Sequence, residues 1–218
     1  MLAARHWRTL AALTLGALAL LPGPARAASE ADAAALATVE RALAQLTAVR
    51  AEFVQELTDR DGKPGDRAVG TLYLKKPGRF RWDYSDPKQL IISDGEWLWL
   101  YDPELQQATK RRVKDTLSQT PAMLLAGEAN VKDQFEVSAG GTEDGIEWVR
   151  LVPKQNDTDF KALRLGFVGG VLKRMEFADK LNQVTRVELT KVERNLKLPD
   201  ALFKFTDPAG VDVIGPKR

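Results

Sequence analysis

The most constraining part of this sequence is residues 70–102, in which four apolar segments follow one another with turn residues between them. In the second segment Phe80, Trp82 and Tyr84 alternate with charged residues, and an Asp-Gly pair at residues 94–95 is a strong hairpin signal before the fourth segment. Because successive side chains of a strand point to opposite faces, this pattern predicts four consecutive β-strands.

The last of these strands, residues 96–102, is apolar on both of its faces. One face carries Trp97, Trp99 and Tyr101, and the other carries Leu98 and Leu100. A strand of this kind must be covered on both sides. One face of the predicted sheet therefore has more apolar surface than a half-buried meander needs, and what fills or covers that face becomes the question about function.

The N terminus has the composition of an export signal. Arg5 and Arg8 precede an apolar run at residues 10–21, and Ala-Arg-Ala at residues 25–27 is a small-residue cleavage site. The apolar run is too short to span a membrane comfortably. We therefore expect cleavage of residues 1–27 and one mature domain over residues 28–218.

Missing residue types exclude several classes of function. The chain has no cysteine, and its one histidine, His6, lies in the predicted signal. Catalytic triads with histidine, thiol nucleophiles and nearly all zinc, copper and haem sites are thereby excluded, and no acidic cluster has the spacing of a calcium loop. We expect no metal and no cofactor. Without cysteine at the cleavage site we also expect no lipid anchor, and hence a soluble mature protein.

Two segments have the pattern of helices. In residues 29–48, apolar residues recur at spacings of three and four, as in an amphipathic helix: Leu36, Val39, Leu43 and Leu46. This helix is either packed permanently on the sheet or a removable cover. Residues 120–127 predict a shorter helix with Pro121 at its start and almost no polar face, which is either core or a second piece of cover.

The rest of the chain predicts further strands. Period-two patterns cover residues 49–58 and 106–113, and from residue 134 onward the pattern is all strand, with a last short strand at residues 211–214. About eleven short strands with few helices predict a strongly curved antiparallel sheet or barrel. The basic triplet Lys110–Arg112 is either a solvated edge or a ligand-binding patch. The predicted mature chain is nearly neutral, which gives no support for nucleic-acid binding.

An ordered set of short motifs over the predicted mature chain resembles the periplasmic lipoprotein carrier family of the Lol system (LolA). The motifs are Phe53-x-Gln55, Gly70-x-Leu72, Lys76-Pro77-x-x-Phe80-x-Trp82, Ser93-Asp94-Gly95, Leu98-Trp99-x-Tyr101-x-Pro103, Thr120-Pro121-x-Met123-Leu124 and Phe203-x-Phe205. The resemblance implies a mainly β fold, an incomplete, half-open antiparallel β-barrel of about eleven strands with a lid of short α-helices over an apolar cavity.

The resemblance also implies a function without catalysis. A soluble, monomeric carrier in the periplasm binds the acyl chains of outer-membrane lipoproteins in the cavity. An inner-membrane ABC transporter loads it, and an outer-membrane lipoprotein receptor unloads it. The position at which the family has a basic lid latch is Lys76, whose partners are expected to be the carbonyls of Leu43 and Leu125. A lysine replaces the arginine that we associate with this position, so the latch lacks a planar fork of donors.

The family's position for contact with the transporter matches Phe80, for which core packing is the alternative. Parity and helical periodicity, read together with the resemblance, give the candidate cavity wall. Its predicted members are Leu36, Val39, Leu43, Phe53, Leu72, Leu74, Trp82, Ile92, Trp97, Trp99, Met123 and Leu124.

Three other functions remain as alternatives at this point. An outer-membrane receptor with the same fold requires a lipidated cysteine, which is absent. A lipid-sensing half-barrel of another role normally has a further domain. An exported hydrolase with paired carboxylates could use Asp83, Asp86, Asp94 or Asp102, although three of these lie beside Gly or Pro in turns, where Asp is expected for backbone reasons.

Overall fold

The computed structural model describes residues 24–115, 124–127, 130–155 and 158–216. Most of the predicted signal, and Met123 with the first part of the predicted short helix, lie outside the described residues. The predictions for cleavage and for Met123 therefore stay predictions.

Most of the described chain is β-strand. The strands are β1 Ala48–Thr58, β2 Pro64–Lys75, β3 Arg79–Asp86, β4 Lys88–Asp94, β5 Trp97–Asp102, β6 Gln107–Arg112, β7 Phe135–Glu143, β8 Ile146–Pro153, β9 Phe160–Val168, β10 Val171–Asp179, β11 Val184–Arg194 and β12 Asp212–Ile214. Helix α1 spans Pro24–Ala44 and helix α2 spans Val131–Gln134, and short 3-10 turns cover Val113–Asp115 and Asp200–Phe203.

All these strands belong to one open sheet in the order β12-β6-β5-β4-β3-β2-β1-β11-β10-β9-β8-β7. Two meanders, β1 to β6 and β7 to β11, are joined side by side by the antiparallel pairing of β1 with β11. The short β12 pairs in parallel with β6 and forms one edge, and β7 forms the other. The predicted half-open, mainly β architecture is confirmed, with one strand more than the eleven expected.

Helix α1 begins before the predicted start at Ser29. It also ends before the predicted end at Ala48, because Ala48 already pairs with Lys75 of β2. Its residues Ala35, Val39 and Leu43 are spaced by four and form one buried stripe. The helix packs across β7 and β8, where Thr38 Oγ1 donates to Glu147 Oε1 at 3.1 Å. It therefore covers one face of the sheet.

We call the face under α1 the inner face. Its buried side chains form one cluster with the helix stripe, here named the inner cluster, which includes Val39, Leu43, Phe53, Leu72, Leu74, Phe80, Trp82, Leu98, Leu124, Leu125, Val149 and Leu151. Leu124 and Leu125 are helical, so the described part of the second predicted helix is buried against this face.

The opposite, outer face carries a separate cluster. Ile92, Trp99 and Ala108 are buried there, with five partly buried side chains packed against them: Leu90, Trp97, Tyr101, Phe205 and Val211. Two of these five belong to the C-terminal segment, residues 198–214. This segment therefore covers the outer face of the first meander, as α1 covers the inner face of the second.

Candidate functional site

The candidate site is the inner face where it meets its cover. A cavity of about 30 Å³ remains there, lined almost wholly by apolar side chains: Leu46, Val49, Leu72, Leu74, Leu125, Val171, Leu172, Leu189, Val192 and Arg194. That volume holds about one or two water molecules and no acyl chain. The cover occupies the apolar surface in this conformation, so an acyl ligand requires the cover to move.

Lys76 lies at the corner where the cover meets the turn between β2 and β3. Its Nζ donates to the carbonyl of Leu43, near the end of α1, at 2.5 Å. Among the described residues it makes no hydrogen bond to the carbonyl of Leu125, the second partner expected from the resemblance. The neighbouring backbone supplies a link to that segment, because Gly78 N donates to Ala126 O at 3.1 Å.

Close packing fixes the Lys76 side chain against the second segment of the cover. A Cβ at Gly127 would lie 2.8 Å from Lys76 Cε, and Gly127 has a φ of +73°, a conformation that favours glycine. Partial burial lowers the pKa of the Lys76 ammonium. Lys76 therefore touches both parts of the cover, with a hydrogen bond to one and packing against the other.

A second tether, which the sequence analysis did not predict, is Asn195, directly after β11. Its Oδ1 accepts from the backbone N–H of Thr47 at 2.9 Å and from the Thr47 hydroxyl at 3.0 Å. Its Nδ2 donates to Gln45 O at 3.1 Å. Asn195 thus holds the segment between α1 and β1, and it does so from a positive φ of 59°. An asparagine just past a predicted strand is a weak signal for such a conformation.

Deeper in the inner face, three aromatic rings pack together. The Phe53 ring lies edge-on to Trp82 at 5.2 Å and to Tyr84 at 5.0 Å between centroids. Tyr84 Oη donates to Gln55 Oε1 at 3.0 Å, and burial raises the pKa of Tyr84 to about 12. Gly70 leaves room for this group, since a Cβ there would lie 2.8 Å from the Phe53 ring.

Most of the predicted cavity-wall residues come together on the inner face. Seven of them are buried in the inner cluster and Leu36 packs against it; the seven are Val39, Leu43, Phe53, Leu72, Leu74, Trp82 and Leu124. Two of these, Leu72 and Leu74, line the remaining cavity. Whether the set binds an acyl chain stays a prediction.

Ile92, Trp97 and Trp99 do not belong to this set, and their predicted position is wrong. Trp82 pairs with Ile91, so the next residue of β4, Ile92, points to the outer face, and Trp99 pairs with Ile92. All three lie in or against the outer cluster. The strand β5 is apolar on both parities, so its pattern did not indicate which parity faces inward.

Phe80 is fully buried in the inner cluster, in register with Leu74 of β2. The core alternative describes its place in this conformation, in which no partner can reach its side chain. Its predicted docking role is not available to the closed molecule.

Two residues of the basic triplet pack on the ring of Trp97. Lys110 is buried with its Nζ 3.8 Å from the centroid of the Trp97 ring, and Arg112 stacks on the same ring and pairs with Glu96 at 3.2 Å. Lys110 is therefore part of the covering of the outer face rather than a solvated edge. In the described residues no group of His, Cys, Asp and Glu side chains is arranged to hold a metal ion, and none of the helices is long and apolar enough to cross a membrane.

Comparison with known proteins agrees with this geometry. The family model for the outer membrane lipoprotein carrier protein LolA matches residues 44–206. This chain belongs to the LolA family. An outer-membrane lipoprotein carrier protein of Dechloromonas aromatica (strain RCB) is 42% identical over 168 residues, which are 77% of this chain and 81% of that protein.

A second outer-membrane lipoprotein carrier protein, from Methylococcus capsulatus, is 37% identical over 191 residues, 87% of this chain and 92% of the relative. A solved structure of an uncharacterized conserved protein from Thermus thermophilus is 17% identical, with a TM-score of 0.53 over 84% of this chain and 97% of that one. At that identity the likeness shows the fold alone.

Proposed function

We propose that this protein is a periplasmic carrier that binds the acyl chains of outer-membrane lipoproteins against the inner face of its sheet. The observation that carries the proposal is an apolar inner face closed by a separate cover, α1 with residues 124–127, around a cavity of about 30 Å³. Relatives that are named as lipoprotein carriers, and that this chain matches over most of their length, support the same function. The protein acts by binding, without a catalytic step.

The physical problem is hydrophobic transfer. Each buried CH₂ group is worth about 0.8 kcal/mol, so a diacyl or triacyl group does not cross an aqueous space unshielded. The cover and the cargo compete for the same apolar surface. The affinity for cargo is then the difference between two apolar coverings, and it stays moderate enough for release.

The latch proposed for Lys76 follows from its position. Its ammonium joins the end of α1 to the turn after β2, and its stem packs against Gly127. Loss of the Lys76 hydrogen bond frees the end of α1 from the turn, while the Gly78 to Ala126 backbone bond still holds the second part of the cover. We assign Lys76 and Leu43 to the latch, with the Gly78 to Ala126 backbone bond in the place of the predicted Leu125 contact.

The remaining assignments follow from the family. The mature protein is residues 28–218 after removal of the signal, its cargo is received from an inner-membrane ABC transporter, and an outer-membrane receptor takes the cargo from it. Phe80 contacts the transporter only in an opened molecule, since it is buried in the closed one.

The test is transfer of a lipoprotein from a membrane into solution. The purified protein is incubated with inner-membrane vesicles that carry radiolabelled lipoprotein, and a soluble one-to-one complex is expected. A fluorescent palmitoyl probe is titrated in parallel. Release without the added protein defines the background. If the protein releases no lipoprotein and binds no probe, the proposal is wrong.

The docking role is tested with Phe80→Leu, which keeps an apolar side chain in the core. Phe167→Leu is the matched control, because Phe167 is also buried in the inner cluster and lies on β9, in the other meander. A docking role predicts that only Phe80→Leu lowers release from vesicles while both variants bind the probe. Equal release by the two variants would assign Phe80 to the core alone.

A further inference from the structure

Two buried indole N–H groups have no hydrogen-bond partner among the described residues. They are Nε1 of Trp82 and Nε1 of Trp148, whose residues are 5% and 4% exposed. A buried donor left unpaired costs free energy, and such groups are few in folded proteins. Each of the two therefore requires an explanation.

The two indoles lie on opposite faces of the sheet. Val149 belongs to the inner cluster, so Trp148 beside it points to the outer face, where the Arg164 guanidinium lies 4.3 Å from its ring centroid. Trp148 lies opposite Gly166, and a Cβ there would lie 3.1 Å from the indole. Trp148 is enclosed by permanent parts of the sheet.

Trp82 instead lies on the face that the cover closes. Its cross-strand neighbour Leu72 lines the small cavity between sheet and cover. No described residue accepts from its N–H, and the ring of Tyr84, whose hydroxyl donates to Gln55, is stacked 6.4 Å from the indole. The Trp82 N–H is therefore a free donor within an apolar surface that the proposed cargo would contact.

The chemistry of the site selects the kind of acceptor. An indole N–H only donates, and a hydrocarbon chain has no acceptor to offer it. The surroundings are apolar, which penalises a charged acceptor unless it is paired. A neutral carbonyl oxygen fits both conditions, and it occurs in the cargo where each acyl chain is joined to the head of the lipid.

We propose that Trp82 Nε1–H donates a hydrogen bond to the carbonyl oxygen of an ester or amide that links an acyl chain to the cargo. The inference rests on the proposed carrier function and specifies a polar contact within it. The donor is unpaired in the closed molecule and paired in the loaded one, so it favours the loaded state. It also distinguishes acyl chains from plain hydrocarbon of equal length.

The test compares two lipids that differ only at the linkage and a third that carries one more acyl chain through an amide. The first probe is a cysteine peptide with a glycerol thioether carrying two palmitoyl esters. The second carries two hexadecyl ethers, and the third adds an N-palmitoyl amide to the ether lipid. Displacement of a fluorescent fatty acid gives the Kd of each probe for the wild type, for Trp82→Phe and for the matched control Trp148→Phe.

In the wild type and in Trp148→Phe we expect the ester probe to bind about three- to tenfold more tightly than the ether probe, and in Trp82→Phe we expect the two to bind equally. A gain by the amide probe, lost in Trp82→Phe, would instead assign the contact to the amide. If the wild type binds the ester and ether probes with equal Kd, and Trp82→Phe changes the Kd of the amide probe no more than Trp148→Phe does, the inference is wrong while the carrier function stands. If it binds none, the carrier function itself fails.

A second measurement is made on the wild type and does not depend on lipid binding by the variants. In ¹⁵N-labelled wild type, the indole N–H resonance of Trp82 is expected to move downfield with the ester probe and to move less with the ether probe, while that of Trp148 stays in place. The single Trp→Phe variants assign the two resonances. Equal shifts of the Trp82 resonance with both lipids would overturn the inference.

Discussion

The two faces of the first meander are both apolar and both covered, but the covers are attached differently. On the outer face, Phe205 stacks on Trp99 at 4.7 Å, and Asp200 accepts from both Lys75 and Arg79 at 2.6 Å. The same segment then adds a strand to the sheet edge through β12. The outer cover is joined by ring stacking, ion pairs and backbone pairing.

The inner cover has fewer and more local attachments to this meander. Lys76 reaches one carbonyl of α1 and Gly78 reaches one carbonyl of the second segment. From the second meander, Asn195 holds the chain after the helix. Apolar contact supplies the rest, and under the proposed function an acyl chain replaces it. The comparison teaches that burial alone does not separate a permanent core from a binding surface. The polar attachment of the cover separates them.

The largest expected effect is on the outer cover. Phe203 is 1% exposed in the 3-10 turn that packs on β3 and β4, so Phe203→Ala removes a fully buried ring. We expect a loss of about 3–5 kcal/mol in the free energy of unfolding, measured with urea, and no change in the Kd of a palmitoyl probe under conditions where the variant is folded. A changed Kd would contradict the separation of the two faces.

The next effect is on the latch. Lys76→Met keeps the apolar stem and removes the ammonium that bonds to Leu43 O, so the open state becomes more populated. We expect the Kd of the palmitoyl probe to fall about three- to tenfold. Lys75→Met is the matched control, because the neighbouring ammonium bonds to Asp200 and Leu198 on the outer side. Equal shifts in the two variants would exclude a latch at Lys76.

A smaller effect is expected at Asn195. Asn195→Gly removes the hydrogen bonds to Thr47 and Gln45, and glycine adopts the positive φ without strain. We expect the rate of amide hydrogen exchange at Leu46 and Thr47 to rise about tenfold. The Kd of the palmitoyl probe is expected to fall only about two- to threefold. Asn195→Ala adds backbone strain and should destabilise the protein further. If exchange at these amides is unchanged in Asn195→Gly, the side chain is not a tether.

The smallest effect is a pH dependence of the outer cover. The hydrogen bond from Lys75, with the charges of Lys75 and Arg79, holds the pKa of Asp200 below its ordinary value of 3.8. The stability contributed by this carboxylate is therefore fully present above pH 3.8 and is lost as the pH falls through the lowered pKa. In urea unfolding, wild type and Asp200→Asn should differ at neutral pH and converge as the pH falls through the lowered pKa of Asp200. A constant difference would show that the charge of Asp200 is not involved.

The sequence predicted the strand pattern and the amphipathic helix well, because these depend on local periodicity, and the half-open form of the sheet was predicted from the family resemblance. It failed at β5, where Trp97 and Trp99 occupy one parity and Leu98 the other, so that both faces are apolar. Which parity faces inward depends on the C-terminal segment that covers the outer face. That contact is between residues far apart in the chain, and no local pattern contains it.

The site could be predicted only in part. Lys76 was singled out by resemblance, and the structure places it beside Leu43. Phe80 is fully buried in the closed molecule, and local periodicity does not distinguish a core position from a docking position. Asn195 was missed because its role depends on a left-handed backbone and on two partners at the start of the chain.

The pairing of β1 with β11 also affects how the chain folds. Phe53 lies opposite Leu189, so the two meanders join only after almost the whole sheet-forming sequence is available. Pairing over such a separation is slow, because the entropy of closing the loop is lost before the contacts form. Until β11 arrives, the edge of β1 is unpaired and the inner face is incomplete. We expect this interval, rather than the finished sheet, to be the stage at which the chain is most prone to aggregate.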